Sequence, residues 1–123
     1  GFLVGRAAAR VMLKQGQGTI LFTGATASLR GSAGFVNLAA PKFALRALAQ
    51  SMARELSPHG IHVAHVIIDG QIRSERCQHV LGERGADSLL EPHAIADAYL
   101  AIHRQQRSAW TLELDLRPWV ETF

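Results

Sequence analysis

Ile61-His62-Val63-Ala64-His65-Val66-Ile67-Ile68 is almost continuously apolar and runs into Asp69-Gly70. A strand that is apolar at successive positions, rather than alternate ones, is covered on both faces, as in the middle of a parallel sheet. Before it, Leu45, Leu48, Ala49, Met52, Ala53 and Leu56 recur at spacings of three and four, an amphipathic helix ended by Ser57-Pro58-His59-Gly60. Earlier still, Gly18 to Phe22 reads as a short buried strand and Thr23 to Gly34 as a loop of small residues. Phe2 to Gln15 combines apolar Phe2, Leu3, Ala7, Val11 and Leu13 with Arg6, Arg10 and Lys14, a helix with one basic stripe that Gly16-Gln17-Gly18 stops.

Downstream of Gly70 the chain turns polar and irregular from Arg73 to Asp87. Glu91-Pro92 marks a new helix start, with proline suited to the first turn and Ile95, Ala96, Tyr99, Leu100 and Ile102 forming an apolar face. Trp110, Leu112, Leu114 and Leu116 alternate with Thr111, Glu113 and Asp115, the period of a strand with one polar side. Helix, strand, helix, strand, loop, helix, strand is the order of an α/β domain whose parallel strands are joined by helices.

The 123 residues are 48% hydrophobic and carry a net charge of +3, the profile of one globular domain. Their arginines are scattered, without a basic block, aromatic interleaving or zinc spacing, so no nucleic-acid partner is expected. No apolar run approaches the roughly 20 residues of a membrane span, and no signal pattern opens the chain. The single Cys77 cannot form an internal disulfide, which fits a cytoplasmic location. No metal site is expected either. His62 and His65 are three apart on a strand and so point to opposite faces, and all six histidines read as structural or surface residues.

The run Asn37-Leu38-Ala39-Ala40-Pro41-Lys42-Phe43-Ala44-Leu45 opens the second helix. Asn37 is a candidate cap, which starts the helix near Leu38 and leaves Pro41 at the limit of tolerance. Together with Arg46-Ala47-Leu48-Ala49-Gln50-Ser51 and Glu55-Leu56-Ser57-Pro58-His59-Gly60-Ile61, this run resembles the C-terminal half of the short-chain dehydrogenase/reductase family. The resemblance covers nearly the whole chain and implies a partial Rossmann-like, doubly wound parallel sheet. That family places a serine on the loop after a strand, a tyrosine thirteen residues later and a lysine four beyond. Aligned on Lys42, the tyrosine position is Leu38 and the serine position Ala25.

In such enzymes the lysine binds the nicotinamide ribose and lowers the tyrosine pKa, the tyrosine moves the proton, and the serine orients the substrate oxygen. Leucine and alanine do neither of the last two. Thr26, Ser28 and Asn37 are the available helpers, by hydroxyl or through a held water. The resemblance implies cofactor contacts from Lys42, Gly70, Ile72 and Ser74, with Asp69 in place of the family's usual proline. Read from its residues alone, Asp69 is a solvated turn-former. No glycine-rich turn between a first strand and helix occurs to hold a pyrophosphate, so the chain reads as the half of the fold without the adenine and phosphate grip. NAD or NADP belongs to the full-length family fold, and binding by this chain alone is not expected.

Three functions follow. One is a nicotinamide-dependent oxidoreductase lineage whose ordinary chemistry is weak or absent. Another is a non-catalytic relative that associates with its copies through helices 2–15 and 42–56. The third is a divergent enzyme in which a water held by Lys42, Asn37 or Thr26 replaces the tyrosine.

Overall fold

The structure, a computed structural model, describes residues 1–122, and for Gln78 and Val80 the backbone alone. Its main elements are α1 (Phe2–Gln15), β1 (Gly18–Thr23), α2 (Val36–Leu56), β2 (Ile61–Ile68), α3 (Gln78–Arg84), α4 (Pro92–His103) and β3 (Glu113–Leu116). The strands form one parallel sheet in the order β1-β2-β3. Every residue of β2 is buried, as its unbroken apolar run requires.

Alternate side chains of β2 serve two cores. Ile61 and Val63 pack with Ile20 and Phe22 of β1 against Ala9 of α1 and Ala49, Met52 and Leu56 of α2. Ala64, Val66 and Ile68 face the other way, toward Leu90, Ile102, Ile95 and Tyr99. Helices therefore cover both faces, the doubly wound arrangement expected from the sequence. At about 1.5–3 kcal/mol per buried aliphatic side chain, β2 alone accounts for much of the hydrophobic stabilisation. α1 approaches closely because Gly5 is small: a Cβ there would lie 2.9 Å from Phe22 and 3.3 Å from Met52.

Four local expectations are corrected. α2 starts at Val36, and Phe35, not Asn37, occupies the cap position without a side-chain cap. The Phe35 carbonyl takes the first helical bonds, from Leu38 at 3.0 Å and Ala39 at 2.8 Å. Pro41 consequently falls in the second turn, and the helix continues through it. Proline has no N–H for the Asn37 carbonyl, but both residues are exposed, so water can serve that acceptor.

The last strand is shorter than the alternation from Trp110 suggests. Trp110 stacks flat on His62 with ring centroids 4.8 Å apart, and Gln105 holds Thr111 through both its backbone N–H and its hydroxyl. These contacts keep Trp110 and Thr111 outside the strand, which pairs from Glu113. Between Arg73 and Asp87, expected as irregular, lie a 3-10 turn at Glu75–Cys77 and the short α3. Two turns of mostly polar helix are too little for periodicity to register. Asp69, finally, is buried and is treated with the site.

Candidate active site

Parallel strands bring the carboxyl ends of β1 and β2 to one edge of the sheet, and ligands of open α/β sheets bind in the crevice outside such ends. Gly24, Ala25 and Thr26 leave β1 there, and Asp69 and Gly70 leave β2. The N-terminal turn of α2 closes over them. The result is a pocket of about 270 Å³ whose lining includes Ala25, Thr26, Arg30, Phe35, Leu38 and Gly70. The two positions that the family motif assigns to serine and tyrosine thus face one cavity, with an alanine and a leucine in them.

Lys42 lies one helical turn beyond Leu38. Its Nζ donates to the Thr23 carbonyl at 2.9 Å, where β1 ends. An ammonium carries three donors, so this bond anchors the side chain and leaves it able to meet another acceptor. Gly70 has φ 149°, and a Cβ there would come within 2.8 Å of Pro118. Glycine is needed at that turn, because a side chain there would run into Pro118 and Leu90.

The helper residues divide. Thr26 lines the pocket, and its hydroxyl donates to Asp69 Oδ1. Ser28 is fully buried and turned inward, its Oγ accepting the Ala25 N–H at 3.1 Å, so it offers nothing to the cavity. Asn37 is exposed and outside the lining. Ile72 forms an isolated parallel bridge with Leu90, and Ser74 is exposed; neither lines this pocket. Tyr99 is half-buried in the second core, and its hydroxyl lies 2.8 Å from Thr23 Oγ1.

Sequence reading missed the charged supports. Asp69 is only 4% exposed; besides the Thr26 hydroxyl it faces the Arg117 guanidinium at 3.4 Å, and Arg117 also bonds Asp115. The one available signal was a carboxylate directly after an unbroken apolar strand. Behind the pocket, Arg46 of α2 grips Glu113 of β3 through two bonds of 2.7 and 2.8 Å, and His65 Nδ1 lies 3.0 Å from the same carboxylate. His65 Nε2 is buried without a hydrogen-bond partner.

The Arg46 hydrogen bonds hold Glu113 below the ordinary carboxylate value of 4.5, with His65 adding to them and partial burial opposing. The same pair raises Arg46. A folded-state value below the unfolded one stabilises the protein above the unfolded pKa, and that contribution is lost as pH falls through the folded value. Stability should therefore decline in acid below about pH 4.5. Glu113→Gln should cost about 1–3 kcal/mol at neutral pH and flatten this acid slope. Urea midpoints measured from pH 3 to 7 check both effects.

Among the described residues, no group of three or more His, Cys, Asp or Glu side chains could hold a metal. Nor, among the described residues, is any helix long and apolar enough to cross a membrane.

The model of the short chain dehydrogenase family matches residues 1–84. A short-chain dehydrogenase structure from Rhodopseudomonas palustris is 49% identical with a TM-score of 0.76, over 96% of this chain and 46% of that one. A short chain dehydrogenase/reductase family protein is 26% identical with a TM-score of 0.71, over 93% and 51% respectively. A 4-hydroxyisoleucine dehydrogenase complexed with NADH shares the fold at a TM-score of 0.81 and 20% identity, over 97% of this chain and 54% of that one. The chain spans about half the length of these structures. With most of its length matched by the family model, and its sheet and helices superposing on solved members, the chain belongs to the short-chain dehydrogenase family.

Proposed function

We propose that this chain forms the substrate-oxygen end of an NAD(P)-dependent short-chain oxidoreductase in which Leu38 and Ala25 stand where the family has its proton-transfer tyrosine and its orienting serine. The carrying observation is convergence: Ala25, Thr26, Leu38 and Gly70 line one pocket, and Lys42 is anchored a turn away at the end of β1. When bound, a nicotinamide supplies hydride exchange.

The residues present fit its ribose end in part. Lys42 has donors to spare, and Gly70 is part of the cavity wall. Ile72 and Ser74, further along the same exit, would extend the contact toward the carboxamide. Thr26 is the one helper hydroxyl on the cavity, so the chain's own contribution is to orient a substrate oxygen with Thr26 and to hold charge nearby with Lys42. Ordinary proton transfer is weak, since losing a positioned acid typically forfeits about 10²- to 10⁴-fold in rate.

Calorimetric titration of NADH and NADPH tests the reading, using the chain and a chimaera in which residues 1–123 replace the matching segment of the 49% identical relative. The chimaera should bind one dinucleotide and the chain alone neither, and Lys42→Ala should weaken the chimaera about tenfold, the worth of one charge-assisted contact. A folded chimaera that binds neither dinucleotide defeats the proposal.

Exposed apolar residues favour a second reading, association through helices 2–15 and 42–56. Leu3 and Val4 are 69% and 75% exposed, Phe2 and Val11 are exposed on the same helix, and Phe43 is exposed on the second. An apolar surface of this extent ordinarily meets a partner. Sedimentation showing a monomer at high protein concentration removes this reading.

A further inference from the structure

We propose that the pocket at the amino ends of β1 and β2 binds the phosphoryl group of a small phosphate ester, held by Arg107, His103, Gln15 and Gln17. It has a volume of about 450 Å³ and is lined by Gly18 and Thr19 where β1 begins and by Gly60 and His62 where β2 begins. The candidate active site opens at the other end of the same strands, roughly 17 Å away at about 3.3 Å per residue. The inference is therefore independent of what that crevice binds.

Among the described residues no Asp or Glu lines this pocket, and its one permanent charge is positive. The Arg107 guanidinium makes no ion pair and no hydrogen bond among the described residues. Its place is nonetheless defined. Gly60, at φ 79°, turns the chain into β2, and a Cβ there would lie 3.2 Å from Arg107 Nη2 and 3.5 Å from its Cζ. The Gly16 carbonyl approaches the same turn, but a neutral acceptor leaves the charge unmatched. The guanidinium thus lies against bare backbone with its five N–H donors unclaimed.

The loop that carries Arg107 is braced before any ligand arrives. Ala109 donates to the Gln106 carbonyl at 3.0 Å, Gln105 holds Thr111 at both its N–H and its hydroxyl, and Trp110 lies flat on His62. His62 Nε2 lies 2.8 Å from the Thr111 carbonyl, which makes that nitrogen the donor. Its Nδ1 is sealed from solvent without a partner, so His62 is a wall of the pocket and not a contact. A preformed loop loses less entropy on binding.

Further donors come from separate stretches of chain. His103, at the end of α4, has Nδ1 3.0 Å from Thr19 Oγ1; with that hydroxyl donating, the ring proton sits on Nε2. Gln15 ends α1 and Gln17 precedes β1, and neither carboxamide is engaged elsewhere among the described residues. A carboxylate offers two oxygens in one plane. A phosphoryl group offers three around a tetrahedron, which suits donors from several directions, and the arginine fork takes two of them side by side. The volume is that of a small-molecule site and leaves room for the ester's organic part.

The test titrates inorganic phosphate and acetate into the chain at constant ionic strength, with amide and indole NMR shifts as the readout. Phosphate should saturate with a Kd of about 1–10 mM and shift Gly18, Gly60 and the Trp110 indole, and acetate should bind about 3- to 10-fold more weakly. Arg107→Gln should weaken phosphate about tenfold, while Arg76→Gln, which removes the same charge beyond the exit of β2, should stay within about twofold. His103→Ala should cost about threefold, and it decides if amide spectra show Arg107→Gln unfolded. The chimaera with the 49% identical relative should bind phosphate as the chain does. Equal weakening by Arg107→Gln and Arg76→Gln means an adventitious ion only and overturns the proposal, as does the lack of a saturable shift. Acetate binding as tightly as phosphate overturns the phosphoryl class. Loss of the site in the chimaera shows the pocket covered by the rest of the fold and overturns it as well.

Discussion

Restoring tyrosine at Leu38 and serine at Ala25 together should raise nicotinamide-dependent oxidation of a simple secondary alcohol by about 10²- to 10⁴-fold in the chimaera with the 49% identical relative. The geometry favours the gain. Leu38 is 41% exposed and lines the pocket opposite Ala25, so a larger phenol can occupy open space without displacing core. Lys42 sits one turn along the same helix face, its Nζ held by the Thr23 carbonyl, where its charge would lower the new phenol's pKa. The effect should appear in kcat more than in KM, because the phenol acts as the proton moves and not as the substrate docks. Dinucleotide affinity, read by calorimetry, should be the same with and without the two substitutions. A double variant that binds dinucleotide like its parent and turns over within about threefold of it, well short of the gain expected from a positioned acid, would show that the lysine and pocket are not arranged for this chemistry.

Much of the fold was legible because its strongest signals are periodic. The run Ile61–Ile68 and the helix Phe2–Gln15 coincide with the observed elements, since one is buried throughout and the other carries a glycine stop whose φ of 67° only glycine adopts easily. Pro92 opens α4 with Glu91 at the cap position, as proline's fixed φ predicts. Elements set by side-chain contacts across the chain were not legible. Trp110 alternates like a strand residue but is claimed by His62, 48 positions away in sequence only by virtue of the fold, and by Gln105 through its backbone carbonyl. Asn37 looks like a cap, yet the backbone of Phe35 begins the helix.

The same division runs through the site. The spacing around Lys42 led to Ala25 and Leu38, and they do meet at one cavity. Thr26 and Ser28 were indistinguishable as two small hydroxyl residues on a loop; only the tight turn between them, which points one outward and buries the other, separates them. Asp69 reads as a turn-former until Arg117, from beyond β3, is brought against it. Long-range ion pairs leave no period in a sequence.

Gly24→Ala should destabilise the chain by about 1–3 kcal/mol, a lowering of several degrees in Tm for a domain of this size. Removing a glycine usually helps: alanine in a permissible conformation gains about 0.4–1 kcal/mol by restricting the unfolded chain. Here space forbids it. A Cβ on Gly24 would lie 2.2 Å from His65 Nε2, 2.5 Å from its Cε1 and 2.8 Å from Ser28 Oγ. None of the three neighbours is the loose end of a flexible chain. His65 is 1% exposed and fixed at Nδ1 by Glu113, while Ser28 is fully buried and holds the Ala25 N–H. Gly24 itself cannot withdraw, because its N–H donates to the Val66 carbonyl at 2.7 Å and continues the sheet. Gly82, with nothing within 4 Å of its Cβ, is the control, where alanine should be neutral or stabilising. In a His65→Ala background the Gly24→Ala cost should shrink, since the clashing ring is gone, and the double-mutant cycle measures that coupling directly. If Gly24→Ala melts with the parent, the loop that carries Ala25 and Thr26 does not pack against His65 in this way, and the pocket built from those two residues loses its foundation.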